Sequence, residues 1–133
     1  MLRAAIPHLR RAGGGAITAI SSIAVQMCQA HNVQGAAAKA GVEAMIRIVA
    51  KEEARHGIRA NALAIGLTDT EMAQAAFDRW GPETTDRIIQ GIPLRRIGTA
   101  EEVAEFACFM MGPACSYLTG KVLQLDGGQI IAG

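Results

Sequence analysis

The chain has 133 residues, half of them hydrophobic, and a formal net charge of +1 at pH 7. This is enough for a hydrophobic core, so we expect a single domain over residues 1–133. The near-neutral charge argues against nucleic acid as a partner. No apolar run approaches the ~18 residues of a membrane span. The cysteines, Cys28, Cys108 and Cys115, are odd in number and widely spaced, which favours reduced thiols in a cytoplasmic protein over a disulfide framework or a metal site.

Helix and strand patterns alternate along the first half of the chain. Residues 1–11 have the pattern of an amphipathic helix, which three consecutive glycines at 13–15 end. The apolar run 16–21 predicts a buried strand. Residues 34–56 predict the longest helix, because apolar residues recur at spacings of three and four, and Gly57 follows where glycine favours a helix end.

The second half continues the alternation. Its patterns predict, in order, a strand, two short helices and a last strand over residues 58–65, 70–80, 83–90 and 121–126. Before the last strand, Thr99 and Glu102 form a capping-box pattern for a further helix that stops at Gly112. This order is typical of a parallel sheet with crossover helices, although three strands are few for a nucleotide-binding sheet.

One segment resembles the active-site stretch of the short-chain dehydrogenase/reductase family. That family places a tyrosine about a dozen residues after a serine, and a lysine four residues after the tyrosine. Here Gly35 follows Ser22 by 13 positions (35 − 22 = 13) and precedes Lys39 by four, so glycine stands in the tyrosine position. The resemblance implies that Ser22 and Lys39 are catalytic residues and that the usual proton donor is missing.

The resemblance extends over most of the chain but covers only the second half of the family's fold. Four further motifs of the family match in its order, at residues 57–61, 64–70, 93–99 and 119–128. The glycine-rich phosphate loop of the first half follows a strand and opens a helix, whereas the glycines at 13–15 precede a strand and are interpreted as a turn. We therefore expect a truncated gene, an internal start or a misread frame.

The family implies an α/β fold, here the last three strands of a Rossmann-like, doubly wound parallel sheet with their helices. It also implies an NADP or NAD cofactor, contacted in this half by Lys39 and by the end of the second strand, where open α/β sheets bind ligands. The cofactor-binding candidates there are Ile65, which replaces the family's proline, Gly66 and Thr68. Without the phosphate loop, we expect the chain alone to bind the cofactor weakly or not at all.

Within the family, residues 37–45 look most like the 2,4-dienoyl-CoA reductase branch, which lacks the tyrosine and keeps the lysine. One version of that branch has a tyrosine at the position of Ala24, which is also missing here. The resemblance implies NADP-dependent reduction of an enoyl or dienoyl acyl thioester, because donors and a cation can stabilise an enolate without a phenol. The alternatives are 3-oxoacyl reduction and a non-catalytic remnant that keeps only fold and oligomer surfaces.

Less specific interpretations stay open for the site residues. Ser22 also fits a strand-end serine that binds local backbone, His31 is a weak candidate proton donor, and Tyr117 is expected to be structural. The long helix has charges spaced by four that fit a solvated salt-bridge ladder: Lys39, Glu43, Arg47 and Lys51.

The family further implies a homo-oligomer, in which the first helix and the long helix contact a partner subunit. The apolar positions expected at that contact are Ile6, Leu9, Val42, Met45 and Val49.

Overall fold

The computed structural model describes residues 1–28 and 30–131. Within these ranges the elements run in the order α1 (Leu2–Arg11), β1 (Gly15–Ser22), α2 (Ala24–Met27), α3 (Val33–Glu53), β2 (Ile58–Ile65), α4 (Glu71–Trp80), α5 (Pro82–Gly91), α6 (Ala100–Met111) and β3 (Val122–Leu125). The alternation predicted from the sequence is confirmed. The four-residue helix α2 was not predicted, because one turn is too short to show a period.

The three strands form one parallel sheet in the order β1-β2-β3. β1 and β2 pair along their whole length, from Gly15 opposite Ile58 to Ser22 opposite Ile65. β3 pairs with the second half of β2, where Ala62 lies opposite Val122. The α/β fold is thus the predicted one, and the carboxyl ends of all three strands lie at the same edge of the sheet.

The core lies between β2 and α3. β2 is almost completely buried, as expected for a central parallel strand that is covered on both faces. Its alanines Ala60 and Ala62 are fully buried and allow the aliphatic face of α3 to approach closely, so that Ile46 and Val49 pack against them. Small side chains on the strand therefore complement large ones on the helix.

The packing of α3 corrects the prediction of which residues contact a partner subunit. Val49 is buried and Val42 packs against the core, so neither is open to a partner subunit. Ile6 of α1 also packs against the core. The residues that α3 turns outward are Met45 and Ile48, with 50% and 56% of their surface exposed.

Helix α6 is held at both ends by side chains. At its start, the Thr99 hydroxyl accepts a hydrogen bond from the Glu102 amide at 3.1 Å, and the Glu102 carboxylate accepts one from the Thr99 amide at 2.9 Å, which confirms the capping box. At its end, the Arg59 guanidinium of β2 donates at 3.0–3.3 Å to a group of backbone carbonyls, those of Met110, Met111, Gly112 and Leu118.

Across the residues that the structure describes, no helix has both the length and the apolar character that a membrane crossing requires.

Candidate active site

The sheet brings the candidate residues from separate parts of the sequence to one edge. Ser22 is the last residue of β1 and lies opposite Ile65, the last residue of β2. Ile65 in turn lies opposite Leu125, the last residue of β3. Gly66 and Thr68 follow directly in the turn after β2. This edge is where ligands bind in open α/β sheets.

Lys39 of α3 reaches the same edge. Its Nζ donates a hydrogen bond of 2.9 Å to the carbonyl oxygen of Ile20, two residues before Ser22 on β1. The ammonium group is therefore anchored beside the carboxyl end of the strand and does not point into solvent along the helix surface. A salt-bridge ladder on a solvated face does not account for this contact.

Ser22 makes a local hydrogen bond. Its Oγ accepts from the amide of Ala24 at 3.2 Å, where the chain turns from β1 into α2. This is the structural role that sequence reasoning left open. Because a hydroxyl that accepts a bond still has a proton to donate, the contact is compatible with a second one to a substrate oxygen, and the catalytic role of Ser22 stays a prediction.

No other tyrosine replaces the one missing at position 35. Gly35 is the third residue of α3 and is exposed, one turn before Lys39. Tyr117 is fully exposed in the segment between α6 and β3, which leads into the amino end of a parallel strand and so lies at the opposite edge of the sheet. His31 is exposed, in a left-handed conformation (φ 63°) just before α3.

A buried carboxylate that sequence reasoning missed lies next to the site. Glu43 has only 3% of its surface exposed, and its Oε1 accepts a 2.7 Å hydrogen bond from the hydroxyl of Ser21. Its Oε2 lies 3.5 Å from the Arg47 guanidinium. Lys39 and Glu43, one turn apart on α3, thus hold the consecutive residues Ile20 and Ser21 of β1, directly before Ser22. In the sequence, Glu43 appeared only as one of several charges spaced by four along the helix, a pattern that equally fits a solvated face.

The turn after β2 is braced by the segment that follows β3. The Gly66 amide donates to the Leu125 carbonyl at 2.9 Å, and a Cβ at Gly66 would lie 2.7 Å from the Cα of Asp126. Only glycine permits this approach without a backbone shift. Thr68 is buried, and its hydroxyl donates to the Gly66 carbonyl at 3.2 Å. The turn is therefore a fixed framework.

These groups fit the nicotinamide end of a dinucleotide. A cation suited to ribose hydroxyls, a serine hydroxyl and the backbone of a braced turn lie at one edge of the sheet, partly open to solvent. A cleft of about 80 Å³ beside Leu67, Leu94 and Leu125 is too small to enclose such a ligand. Among residues 1–28 and 30–131, no group of three or more potential ligands could hold a metal ion.

Comparison with known proteins gives one family. A family model described as enoyl-(acyl carrier protein) reductase matches residues 1–129. The chain is 42% identical over 114 residues to an acetoacetyl-CoA reductase from Synechocystis sp., covering 85% of this chain and 46% of that protein. It is 38% identical over 123 residues to a 3-oxoacyl-(acyl-carrier-protein) reductase from Chlamydia pneumoniae, covering 92% and 48%.

Solved structures agree with the sequence relatives. An NADPH-bound short-chain oxidoreductase from Pseudomonas aeruginosa PAO1, described as containing an atypical catalytic center, superposes with a TM-score of 0.88 at 30% identity, over 99% of this chain and 52% of that one. A 7α-hydroxysteroid dehydrogenase complexed with NADH and 7-oxo glycochenodeoxycholic acid gives a TM-score of 0.89 at 28% identity, over 96% and 49%.

The chain spans about half the length of the curated relatives it matches. These relatives are named for reductions of acetoacetyl and 3-oxoacyl thioesters, which corresponds to the alternative substrate class considered from the sequence. The 2,4-dienoyl-CoA reductase branch stays a prediction.

Proposed function

Because the chain belongs to the short-chain dehydrogenase/reductase family, we propose that it forms the substrate-side half of an NAD(P)-dependent oxidoreductase that reduces an enoyl or dienoyl acyl thioester. One observation supports this substrate class above others. Lys39 is kept and anchored to β1 by its bond to Ile20, while Gly35 provides no proton donor in the tyrosine position.

A nicotinamide cofactor would supply a hydride to carbon. Toward it, Lys39 would hold the ribose, and the turn at Gly66 and Thr68 would present backbone groups to the nicotinamide. Toward the substrate, Ser22 would donate its hydroxyl proton in a hydrogen bond to the thioester oxygen, and the nearby Lys39 ammonium would stabilise negative charge there. Each of these roles uses a group that lies at the carboxyl edge of the sheet.

Gly35 decides between two reductions of a thioester. When a ketone is reduced, the alkoxide must be protonated on oxygen, and loss of a general acid costs about 10²–10⁴ in rate. When the hydride adds instead to the β-carbon of an enoyl thioester, the charge spreads into an enolate. The α-carbon then takes a proton from water, so the reaction needs stabilisation of charge and not a phenol.

Reduction of a 3-oxoacyl thioester is the second candidate. It is favoured by the relatives, which are named for acetoacetyl-CoA and 3-oxoacyl substrates. The two candidates share the acyl thioester and the hydride donor and differ in the carbon that accepts the hydride. A chain that keeps only the fold and its contact surfaces is the third possibility, which its half-length match leaves open.

The test is an assay of NADPH and NADH oxidation with crotonyl-CoA and acetoacetyl-CoA. It is run on the full-length protein that contains this chain, or on this chain fused behind the amino-terminal half of the Synechocystis relative. We expect turnover of crotonyl-CoA and at least a tenfold lower kcat/KM for acetoacetyl-CoA. Lys39→Ala should abolish turnover, whereas Lys51→Ala, which removes an exposed lysine of the same helix, should not.

Faster turnover of acetoacetyl-CoA with Gly35 in place would establish the second candidate. If the protein is correctly folded and turns over neither thioester, the non-catalytic role is the one that remains.

A further inference from the structure

The space of the missing side chain at position 35 is occupied by Asn32. A Cβ built on Gly35 would lie 2.3 Å from Asn32 Oδ1, 3.2 Å from its Cγ and 3.5 Å from its Nδ2. These distances place the whole carboxamide where a side chain of residue 35 would leave the helix. Any residue other than glycine at this position must displace Asn32, and glycine is what allows the carboxamide to lie there.

Asn32 does not play the usual role of an asparagine at the start of a helix. It is the N-cap residue of α3, a position where asparagine normally accepts a hydrogen bond from the first turn. Here its side chain makes no capping hydrogen bond. The residue before it, His31, has a left-handed backbone (φ 63°), a conformation in which histidine is enriched among residues other than glycine. The carboxamide thus lies over Gly35 and makes no capping bond to the first turn of α3.

The position of Asn32 relative to Lys39 suits a substrate contact. Gly35 and Lys39 are four residues apart and so lie on one face of α3, and the N-cap residue Asn32 lies over Gly35 on that face. Lys39 is anchored at the carboxyl end of β1. A Cβ at Gly35 would lie 2.3 Å from Oδ1 and 3.5 Å from Nδ2, so the amino group is the part of the carboxamide farther from that position.

We propose that the Asn32 carboxamide replaces the side chain absent at Gly35 and donates a hydrogen bond from Nδ2 to the thioester oxygen of the substrate. The inference rests on the proposed reduction of an acyl thioester. A carboxamide donates a hydrogen bond but does not give up its proton near neutral pH. Asn32 therefore stabilises an enolate oxygen and cannot complete the reduction of a ketone to an alcohol, which makes the pair Asn32–Gly35 a determinant of substrate class.

The test compares two glycine substitutions in the full-length protein. Gly35→Ala adds a methyl group where Asn32 lies, and we expect it to displace the carboxamide and lower kcat for crotonyl-CoA. Gly41→Ala is the matched control, because Gly41 is exposed on the same helix and a Cβ there meets nothing within 4 Å. Both changes favour the helix, so a loss confined to Gly35→Ala reports the displaced carboxamide.

Two substitutions of Asn32 test the donor itself. Asn32→Ala removes the group and Asn32→Asp keeps its shape but replaces the amino group by oxygen. We expect each to lower kcat by roughly 10²–10³-fold, the usual loss of an oxyanion donor, with a melting temperature close to that of the parent. Adding Gly35→Ala to Asn32→Ala should cause no further loss, because there is nothing left to displace.

A readout other than activity is the side-chain amide signal of Asn32 in the ¹⁵N-asparagine-labelled protein, assigned by its disappearance in Asn32→Asp. We expect this signal to shift when butyryl-CoA is added. An unshifted signal, or full activity of Asn32→Asp in an enzyme that reduces crotonyl-CoA, would overturn the inference and leave the proposed function standing. A parent protein inactive on both thioesters would overturn the proposed function and this inference with it.

Discussion

At the residue scale, a buried acid close to the candidate site has a consequence for stability. Glu43 is desolvated, and a desolvated carboxylate is costly unless it is hydrogen-bonded. Its 2.7 Å bond from Ser21 therefore compensates for burial and at the same time joins α3 to β1. Removing the Glu43 carboxylate leaves the Ser21 hydroxyl without this acceptor in the interior.

We expect Glu43→Ala to lower the free energy of unfolding by about 1–3 kcal/mol, because the Ser21 hydroxyl loses its acceptor and a space is left. Glu43→Gln keeps an acceptor and should cost less. Urea denaturation followed by circular dichroism measures both. Arg47→Ala is the control, since Arg47 is more than half exposed and a surface ion pair contributes little, about 0.2–1 kcal/mol. Equal losses in Arg47→Ala and Glu43→Ala would contradict a role for the buried bond.

Sequence spacing singled out Ser22 and Lys39, which the structure places near the carboxyl end of β1, and their catalytic roles stay predictions. It could not locate Ser21 as the partner of Glu43, which is 22 positions away, because helical spacing alone does not say which face is buried. It also could not place Asn32 over Gly35. The first contact depends on how α3 packs against β1, which is a tertiary property, and the second on the backbone conformation of the residues that enter α3.

At the scale of the element, α6 shows how local electrostatics adds to a cap. The Arg96 guanidinium beside Glu102, together with the backbone bond from Thr99, lowers the pKa of that carboxyl from 4.5 to about 2. The Arg96 contacts are 2.6 and 2.9 Å long. A carboxyl with a lowered pKa in the folded state stabilises the fold above its unfolded pKa.

We therefore expect this contribution to be complete above pH 4.5 and to be lost as the pH falls toward about 2. The measurement is the melting temperature between pH 7 and pH 2 for the parent chain and for Glu102→Gln, which keeps a capping acceptor but has no charge. The parent should lose more stability than Glu102→Gln across this range. Parallel curves would show that the Arg96 contact does not contribute. Glu101→Gln, one residue away on the exposed side of the same turn, is the control.

The bounds of most elements followed from local chemistry. The capping box fixed the start of α6, and β2 was predicted with its observed bounds, Ile58–Ile65. The helix predicted over residues 34–56 is α3 followed by a 3₁₀ turn, Ala54–His56, which Gly57 ends in a left-handed conformation (φ 71°). β3 is two residues shorter at its ends than predicted, because it pairs only with the second half of β2. The length of a strand depends on its neighbour, which a window of sequence does not contain.

At the scale of the whole molecule, two exposed surfaces favour association with another chain. In the part of the chain that the structure describes, β1 pairs only with β2, and its Ile20 is 40% exposed. An unpaired strand edge invites pairing with another chain. The outward residues Met45 and Ile48 of α3 add an apolar helix face, so association has two possible routes.

We expect the isolated chain to form oligomers or aggregates at tens of micromolar, measured by light scattering. Met45→Glu with Ile48→Lys should reduce association if the helix face is responsible and leave it unchanged if the edge of β1 is. A stable monomer of 14.0 kDa would contradict both routes.

The sequence was sufficient for the fold class, because alternating strands and helices admit few topologies. It was insufficient for the oligomer surface. Val42 and Val49 share the apolar stripe of α3 with Met45, and only the packed structure shows that the first two face the core.

The contacts of Arg59 imply an order of events in acid. The link between β2 and the end of α6 joins the Arg59 guanidinium to backbone carbonyls and contains no carboxylate that added protons could neutralise. The link at the start of the same helix depends on the ionised Glu102. Acid therefore weakens the first turn of α6 before its last turn, which stays tied to the central strand.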